Sequence, residues 1–299
     1  MRSVAVIGQG FVGGALTTVL SERGVGVHAY DVKAKTAEGA RTSSLNLRQL
    51  VQVSESDPLF SGVYFVCVPT PMAKDGSADL SIVEGVLRGL STTPGDRIAV
   101  LKSTVPPGST ERWNKAFDET SLRVVFCPEF LTEANALEDM RNQSRIVLGG
   151  PRPWINTVKQ VFQSAFPQVP IIKTSSTVAE MVKYFTNVQL AARVVLSCEI
   201  YQICEALDRE GFNIDYDKVV EYAARDLRLG GSHMSVPGND GIPGARGHCF
   251  PKDLAALINV AHKVGVSPIV MEAVQSKNLE IVPETHRDWE KMIGRAVSG

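Results

Sequence analysis

The sequence predicts an α/β protein in which an N-terminal, doubly wound parallel sheet precedes an α-helical domain built on one long central helix. Three observations support this prediction. Short apolar runs alternate with helical patterns in the first half of the chain, a glycine-rich turn follows the first run, and residues 178–209 contain neither glycine nor proline. Strands that are buried on both faces and separated by helices are typical of βαβ units and a parallel sheet.

The predicted elements of the sheet domain follow one another at short intervals. Predicted strands are Val4–Ile7, Val27–Tyr30, Val63–Val68, Ile98–Leu101, Leu122–Phe126 and Ile146–Leu148, with a further strand near Ile171. Predicted helices are a segment running to about Glu22, Leu80–Leu90, Thr110–Phe117 and Ile155–Phe166.

The run Val178–Arg209 is longer than a typical globular helix and predicts the spine of a second, helical domain. Its apolar content exceeds what a small helical domain needs to bury, so we expect a two-fold homodimer, the commonest assembly. We place the sheet domain at residues 1–175 and the helical domain at residues 176–299. Further helices are predicted at Tyr216–Ala224, Asp253–Val264 and Pro268–Leu279, and the Gly- and Pro-rich segment Asp226–His248 is long enough to predict a functional loop.

Composition excludes several classes of function. Lys and Arg number 31 against 32 Asp and Glu, for a net charge of -1, which argues against a nucleic-acid-binding surface. No apolar run approaches the roughly 18 residues of a membrane span, and the N-terminus lacks a secretory pattern. The five cysteines show neither pairing nor metal-ligand spacing. We therefore expect a reduced, cytoplasmic protein with no metal site and no membrane or nucleic-acid partner.

The glycine-rich turn Gly8-Gln9-Gly10-Phe11-Val12-Gly13 lies between the first predicted strand and the first predicted helix. Its three glycines suit a tight turn, close backbone approach to a pyrophosphate, and helix–strand packing, as in a Rossmann-like domain. Asp31 stands 18 residues after Gly13, where a carboxylate would bind the ribose hydroxyls. An acid there favours NAD over NADP because it would repel a 2′-phosphate, a preference that Lys33 and Lys35 soften.

A second motif, Cys249-Phe250-Pro251-Lys252-Asp253, follows the Gly-rich loop. Proline suits the first turn of a helix, which places Cys249 just before a helix N-terminus and near Lys252. Both features favour the nucleophilic thiolate form of a cysteine. Asp253 would lie near the same helix start.

At these residues the chain resembles the UDP-glucose/GDP-mannose dehydrogenase family, whose cysteine motif is a Gly-rich loop leading into Cys-x-Pro-Lys-Asp. Further matches follow in the family's order and cover essentially the whole chain. They are Val68-Pro69-Thr70-Pro71, Ser103-Thr104-Val105-Pro106, Cys127-Pro128-Glu129-Phe130-Leu131-Thr132-Glu133, then Glu180, Lys183 and Asn187 at the start of the long helix, and Arg228, which resembles an arginine that reaches the neighbouring subunit's sugar site.

The resemblance implies an NAD-dependent, four-electron oxidation of a nucleotide-sugar primary alcohol to the carboxylate. A thiolate at Cys249 would hold the aldehyde as a thiohemiacetal and then as a thioester, so that the aldehyde does not escape. Lys183 and Asn187, about 6 Å apart on one helix face, could donate to the developing oxyanion.

The other implied roles concern hydrolysis and binding. Glu133 would assist thioester hydrolysis, and Asp253 with Thr104 would position a water. Cofactor contacts are expected from Gly8, Gly10, Phe11, Val12, Gly13, Asp31, Thr70, Thr104 and Lys252. Contacts with the nucleotide-sugar or phosphorylated sugar are expected from Glu129, Lys183, Asn187, Arg228, Arg246 and Gly247.

Two departures from the family limit the prediction of substrate. Full-length members continue into a second Rossmann-like domain that holds the nucleotide. We expect a short form that lacks it, because this sequence ends at Gly299, and therefore weaker nucleotide discrimination. In the loop before the cysteine, Ala245 and Arg246 stand where the family usually has an aromatic residue and a glycine. Arg246 either adds bulk where the sugar would lie or grips a phosphate or carboxylate.

Two other classes of function compete with this interpretation. A β-hydroxyacid dehydrogenase of the 6-phosphogluconate or 3-hydroxyisobutyrate type has a similar length and glycine motif, but it transfers one hydride without a cysteine nucleophile. A non-catalytic nucleotide-binding protein is the third possibility. The motif Cys249–Asp253 argues against a β-hydroxyacid dehydrogenase. The presence of this motif together with the other candidate catalytic residues argues against a non-catalytic protein; those residues are Thr104, Glu133, Lys183 and Asn187.

Overall fold

A computed structural model describes residues 2–32, 46–92, 95–238 and 240–290. These residues form two units, the first comprising residues 2–71 and 78–183 and the second comprising Met72–Ser77 and residues 184–290. The α/β class is confirmed, since a mostly parallel sheet and a long helix are both present. The predicted domain boundary after residue 175 stays a prediction.

The first unit contains a seven-stranded sheet with the order β2-β1-β3-β4-β5-β6-β7. The predicted strands agree with the observed ones to within about three residues at each end, a scatter typical of strand boundaries. The strands are β1 (Ser3–Ile7), β2 (Gly26–Tyr30), β3 (Phe60–Val66), β4 (Arg97–Leu101), β5 (Leu122–Phe126), β6 (Ile146–Gly149) and β7 (Ile171–Thr174).

The direction of β6 departs from the predicted parallel sheet. The pairs β1–β2, β1–β3, β3–β4 and β4–β5 are parallel, as is β6–β7. β6 runs antiparallel to β5, paired through Phe126 and Gly149. An apolar run indicates that a strand is buried on both faces but not in which direction it runs. The sequence pattern therefore could not show that β5 and β6 are antiparallel.

Helices cover both faces of the sheet and account for its two apolar layers. On one face Leu16 and Phe162 pack with Val6 and Phe65. On the other face Leu50, Leu87 and Trp113 pack with Ala5 and Tyr64. Alternate residues of a strand point to opposite faces, which is why neighbouring strand residues belong to different layers. The helices are α1 (Phe11–Glu22), α2 (Leu47–Ser56), α3 (Ser81–Ser91), α4 (Ser109–Ala116), α5 (Ala136–Arg141) and α6 (Trp154–Ala165).

The two helices α2 and α5 were not among the predicted ones. α2 begins at a capping box in which Asn46 and Gln49 each bond the other's backbone N–H with a side-chain oxygen. This reciprocal pair satisfies two N–H groups that a helix start otherwise leaves without partners. α5 spans only six residues, too few for a helical apolar period to be read from the sequence.

The long helix α7 (Ser176–Arg209) spans 34 residues and closely matches the predicted spine. Its first eight residues belong to the first unit and the remainder to the second. The second unit also contains α8 (Tyr216–Ala223), α9 (Phe250–Lys263) and α10 (Ile269–Ile281). Between α8 and α9 the described residues form no helix or strand, in agreement with the predicted loop. Among the described residues, no helix is both long and apolar enough to cross a bilayer.

Candidate active site

The glycine turn between β1 and α1 has the geometry that a dinucleotide site requires. Gly8 has φ +90°, and a Cβ there would stand 2.6 Å from the carbonyl oxygen of Cys67. A Cβ on Gly13 would stand 1.8 Å from the carbonyl oxygen of Gly8. Around Gly10, in contrast, no atom of the described residues comes within 4 Å of a Cβ position. The outer glycines are therefore required by packing, whereas the middle one leaves open space at the helix start.

Asp31 lies beside this turn. Its Oδ2 accepts a hydrogen bond of 2.6 Å from the backbone N–H of Gln9. The first turn of α1 carries no acidic residue, so the positive end of the helix dipole is not offset by a carboxylate within that turn. Phe11 is largely exposed at the start of the helix. These features fit a dinucleotide with its pyrophosphate at α1 and its ribose at Asp31; Lys33 and Lys35 lie outside the described residues.

The loops that follow β3 and β4 are joined directly. The Thr70 hydroxyl donates to the carbonyl oxygen of Thr104 at 2.9 Å, and the Ser103 hydroxyl donates to that of Val68 at 2.6 Å. All three hydroxyl-bearing side chains are buried. These two segments, which both match the family's motifs, therefore form one hydrogen-bonded structure at the carboxyl edge of the sheet.

Lys183 and Glu129 form a buried ion pair in the first unit. Lys183 Nζ lies 2.8 Å from Glu129 Oε1 and donates to the carbonyl oxygen of Glu129 at 2.7 Å. The other carboxylate oxygen accepts from the N–H of Leu131 at 2.6 Å. Lys183 is only 2% exposed and Glu129 8%. Glu129 thus holds the ammonium in place, a role that the sequence pattern did not distinguish from substrate binding.

A buried lysine that the sequence analysis missed lies at the end of β4. Lys102 Nζ donates to the carbonyl oxygen of Pro128 at 3.0 Å and lies 3.5 Å from Cys127 Sγ. Burial raises the pKa of the Cys127 thiol and raises that of Cys67 to about 12. Both thiols are therefore protonated at neutral pH, which makes them poor nucleophiles. Lys102 could have been identified from the sequence by its position directly after a buried strand.

Two further acidic residues that match the family's motifs, Glu133 and Glu180, differ in environment. Glu133 begins a short 3-10 turn, Glu133–Asn135, and is exposed. Glu180 is fully buried and accepts the backbone N–H groups of Gly108 and Thr110 at 2.6 and 2.8 Å. Burial raises its pKa, although these hydrogen bonds act in the opposite direction. Glu180 therefore caps the start of α4, a structural role that the matched motif did not reveal.

In the second unit, Cys249 occupies the N-cap of α9, with Pro251 in the first turn as predicted. Asp253 in that turn is fully buried. Its Oδ2 accepts a hydrogen bond of 2.6 Å from Asn187 Nδ2, and its Oδ1 pairs with the Lys252 ammonium. The structure brings Asn187 and Asp253 together as a buried pair, and Lys252, predicted as a cofactor contact, is bound to the same carboxylate.

The loop before Cys249 is bound to α10. Gly244 has φ +98°, and a Cβ there would lie 2.3 Å from Val282 Cγ2. The side-chain amide of Asn278 bonds both backbone groups of Ala245, accepting from its N–H at 2.8 Å and donating to its carbonyl at 2.9 Å. Gly247 also has a positive φ, +74°. Asn278 was not predicted as a site residue, because the backbone groups that it contacts are distant in sequence.

Arg228 projects from the surface of the second unit. Its side chain is 90% exposed and lies 2.6 Å from Asp226 Oδ2. This hydrogen bond lowers the pKa of Asp226. The neighbouring Leu227 is 96% exposed. Nothing within the described residues of the unit binds Arg228 other than Asp226 two positions away, so the loop presents an arginine and an apolar side chain outward.

A Rossmann-type sheet with a glycine turn and an acidic residue beside that turn, followed by a helical unit with a cysteine at a helix start, is typical of a nicotinamide-dependent dehydrogenase. Residues 2–166 match the family model for the NAD binding domain of the UDP-glucose/GDP-mannose dehydrogenase family, and residues 177–280 match that for its central domain. The chain therefore belongs to the UDP-glucose/GDP-mannose dehydrogenase family. It is an oxidoreductase of the NAD-dependent nucleotide-sugar dehydrogenase class, acting on CH–OH.

Individual relatives agree with this assignment. UDP-glucose 6-dehydrogenase TuaD of Bacillus subtilis is 30% identical over 325 aligned positions, which cover all of this chain and 68% of that protein. A UDP-glucose dehydrogenase structure from Pyrobaculum islandicum is 28% identical with a TM-score of 0.75, covering 94% of this chain and 68% of that one. The chain spans about two thirds of the length of the curated relatives it matches.

The fold is also shared with a dehydrogenase of another name. A 3-hydroxyisobutyrate dehydrogenase structure from Mycobacterium tuberculosis has a TM-score of 0.73 and covers 96% of each chain, at 15% identity. At that identity the likeness concerns the fold alone. The family assignment therefore rests on the matched family domains and the closer relatives.

Proposed function

We propose that this protein oxidises the primary alcohol of a nucleotide-sugar, of the UDP-glucose type, to the carboxylate in two steps. One alcohol, one water and two NAD⁺ give one carboxylate, two NADH and three protons. The observation that carries the proposal is Cys249 at the N-cap of α9, next to a buried Asp253 that Asn187 holds. A single hydride transfer needs no such nucleophile.

Cys249 takes part only after the first oxidation. NAD, when bound, supplies the hydride acceptor in each oxidation. The Cys249 thiol adds across the aldehyde C=O, so that its sulfur bonds the carbon and its proton passes to the oxygen, which gives a thiohemiacetal. Loss of the second hydride from that carbon and of the hydroxyl proton to solvent or a base gives a thioester. Water then displaces the sulfur to yield the carboxylate, a proton and the free thiol. The aldehyde remains bound to the enzyme throughout.

The buried polar side chains support the proposed roles in this chemistry. Lys183 and Asn187 are fixed by Glu129 and Asp253, and preorganised donors of this kind stabilise a developing oxyanion without reorganising. Asp253 is proposed as the base that positions the hydrolytic water. Glu133, which is exposed, would assist the same hydrolysis.

We infer NAD rather than NADP as the cofactor from the position of Asp31. The carboxylate lies beside the glycine turn through its bond with Gln9, where it would bind ribose hydroxyls and repel a 2′-phosphate. Gly8, Gly10, Phe11, Val12, Gly13, Thr70, Thr104 and Lys252 remain the other proposed contacts. Arg228 and Gly247 remain proposed contacts of the nucleotide-sugar.

We also propose a homodimer formed through α7. Large apolar side chains are exposed along this helix, and isolated exposed apolar residues are normal whereas a long row of them marks an interface. Arg228 would then be able to reach a neighbouring subunit's site, as the family resemblance implies. The exposed residues on α7 are Val178, Met181, Phe185, Leu196, Ile200, Ile203 and Leu207.

The stoichiometry of NADH tests the mechanism. Wild-type protein and UDP-glucose, together with a small panel of other nucleotide-sugars and sugar phosphates, should give two NADH per substrate consumed, with the product identified as a carboxylate by mass spectrometry. Cys249→Ala should bind NAD normally but form no carboxylate, while the control Cys204→Ala, at a buried position on α7, should retain the ratio. One NADH per substrate, with Cys249→Ala at full rate, would favour the β-hydroxyacid alternative.

A further inference from the structure

We propose that Arg246 is a positioning residue for Cys249, which anchors the cysteine loop to the turn that follows α10. This inference rests on the proposed function, because it assigns Arg246 to the placement of the nucleophile rather than to a substrate contact. Arg246 stands where the resembling family usually has glycine, so the anchor is a property of this chain.

All three kinds of guanidinium nitrogen in Arg246 have protein partners. Nη1 lies 2.6 Å from Asp240 Oδ2, and Nη2 lies 3.6 Å from Asp288 Oδ2. Nε donates to the carbonyl oxygen of His286 at 3.2 Å. The planar guanidinium therefore connects the start of the loop with the segment beyond α10, a geometry that a lysine could not reproduce.

The segment that receives Arg246 is itself attached to α10. Arg287 donates from Nε to the carbonyl oxygen of Val282 at 3.0 Å, and its Nη2 bonds the carbonyl of Leu279. Val282 and Trp289, at the two ends of this turn, are buried. The turn that Arg246 binds is itself held in place by α10. The contacts of Arg246 therefore restrict the position of the loop.

The surroundings of Arg246 argue against a substrate contact. Its side chain is only 13% exposed, and two carboxylates balance its charge. A phosphate could approach the guanidinium only by displacing Asp240 or Asp288 and by facing the carboxylate that remained. A guanidinium that is already paired with carboxylates and partly removed from water gains little free energy by exchanging one of them for a phosphate.

The short distance along the chain explains how the anchor reaches the nucleophile. Only Gly247 and His248 separate Arg246 from Cys249, and Asn278 fixes Ala245 on the other side. Gly247, with φ +74°, has no side chain that could hold the loop in place. Cys249 is held by α9 on its C-terminal side, where its carbonyl oxygen accepts from the N–H of Asp253 at 2.9 Å. Without the guanidinium contacts, the chain before Cys249 would be held only through Ala245, and small displacements of a reacting group reduce rates strongly.

The test compares Arg246→Met with Asp288→Asn and Arg246→Lys. We expect Arg246→Met to lower kcat by about tenfold or more while KM for UDP-glucose changes by less than about twofold. Asp288→Asn should lower kcat in the same direction, and Arg246→Lys should recover only part of the loss. Arg225→Met, which removes an exposed arginine paired with Glu221, is the matched control and should resemble wild type.

Two readouts do not depend on turnover. Hydrogen exchange of the peptide spanning residues 241–249, and the rate at which iodoacetamide alkylates Cys249, should both increase in Arg246→Met and not in Arg225→Met. Unchanged exchange and alkylation, or a raised KM with normal kcat in Arg246→Met while Asp288→Asn behaves as wild type, would overturn the proposal. If wild type forms no carboxylate but exchange still increases, the anchoring is supported and the proposed function fails.

Discussion

Replacing Lys183 with Met should destabilise the protein strongly, because it removes one member of a buried ion pair. The Glu129 carboxylate would keep the Leu131 N–H bond but lose both the ammonium and the balancing charge. At 8% exposure it cannot recover these interactions from water. Breaking a buried pair in this way costs about 3–5 kcal/mol of unfolding free energy.

The double variant Lys183→Met with Glu129→Gln distinguishes the cost of losing the ion pair from the cost of leaving one charge buried without its partner. The glutamine oxygen can still accept from the N–H of Leu131, and no charge remains buried. We expect the loss in unfolding free energy to shrink to about 1–2 kcal/mol. Stability therefore improves on adding the second substitution, although oxidation of the nucleotide-sugar should be abolished in both variants.

Urea unfolding followed by tryptophan fluorescence measures these differences, since Trp113 and Trp154 both lie in the first unit. Lys115→Met, which removes an exposed lysine from the last turn of α4, provides the control. A loss below about 1 kcal/mol for Lys183→Met would refute the reasoning. A double variant as unstable as the single one would refute it as well, because it would place the cost in lost packing.

Three further predictions concern cofactor, pH and assembly. Asp31→Ala should weaken NAD binding by roughly 10- to 100-fold, because charged hydrogen bonds to the ribose are lost, and should reduce the preference for NAD over NADP. Calorimetry with each dinucleotide measures both effects, and an unchanged affinity for NAD would exclude a contact between Asp31 and the ribose. The pKa of Asp57 is lowered from 3.8 to about 2, chiefly by the Leu59 N–H bond, so its contribution to stability is present above pH 3.8 and is lost as the pH falls towards 2. In Asp57→Asn the free energy of unfolding should therefore fall less steeply than in wild type as the pH is lowered from 3.8 towards 2. An equally steep fall in the variant would contradict this. Light scattering should give twice the 32.4 kDa chain mass, and Leu196→Glu on α7 should shift the protein towards monomer; a wild-type monomer at micromolar concentration would rule out the dimer.

Local patterns were sufficient to predict the strands, most of the helices, and where several of the chemical groups stand relative to them, although they missed α2 and α5. The glycine turn and Asp31 follow β1 and β2 as expected, and Pro251 starts α9 with Cys249 at its N-cap. These features depend on conformational preferences of a few consecutive residues, on short apolar runs, and on helical period. Such preferences are properties of neighbouring residues, so one sequence contains them in full.

Only the tertiary structure decided which polar groups are paired. Glu129 with Lys183, Asn187 with Asp253, and Asn278 with Ala245 join residues 33 to 66 positions apart. The same holds for the antiparallel direction of β6, the cap that Glu180 places on α4, and the contacts of Arg246. The energy of a buried polar group depends on partners that folding brings to it. Residue type and spacing could therefore nominate these side chains but could not separate a substrate contact from a positioning one.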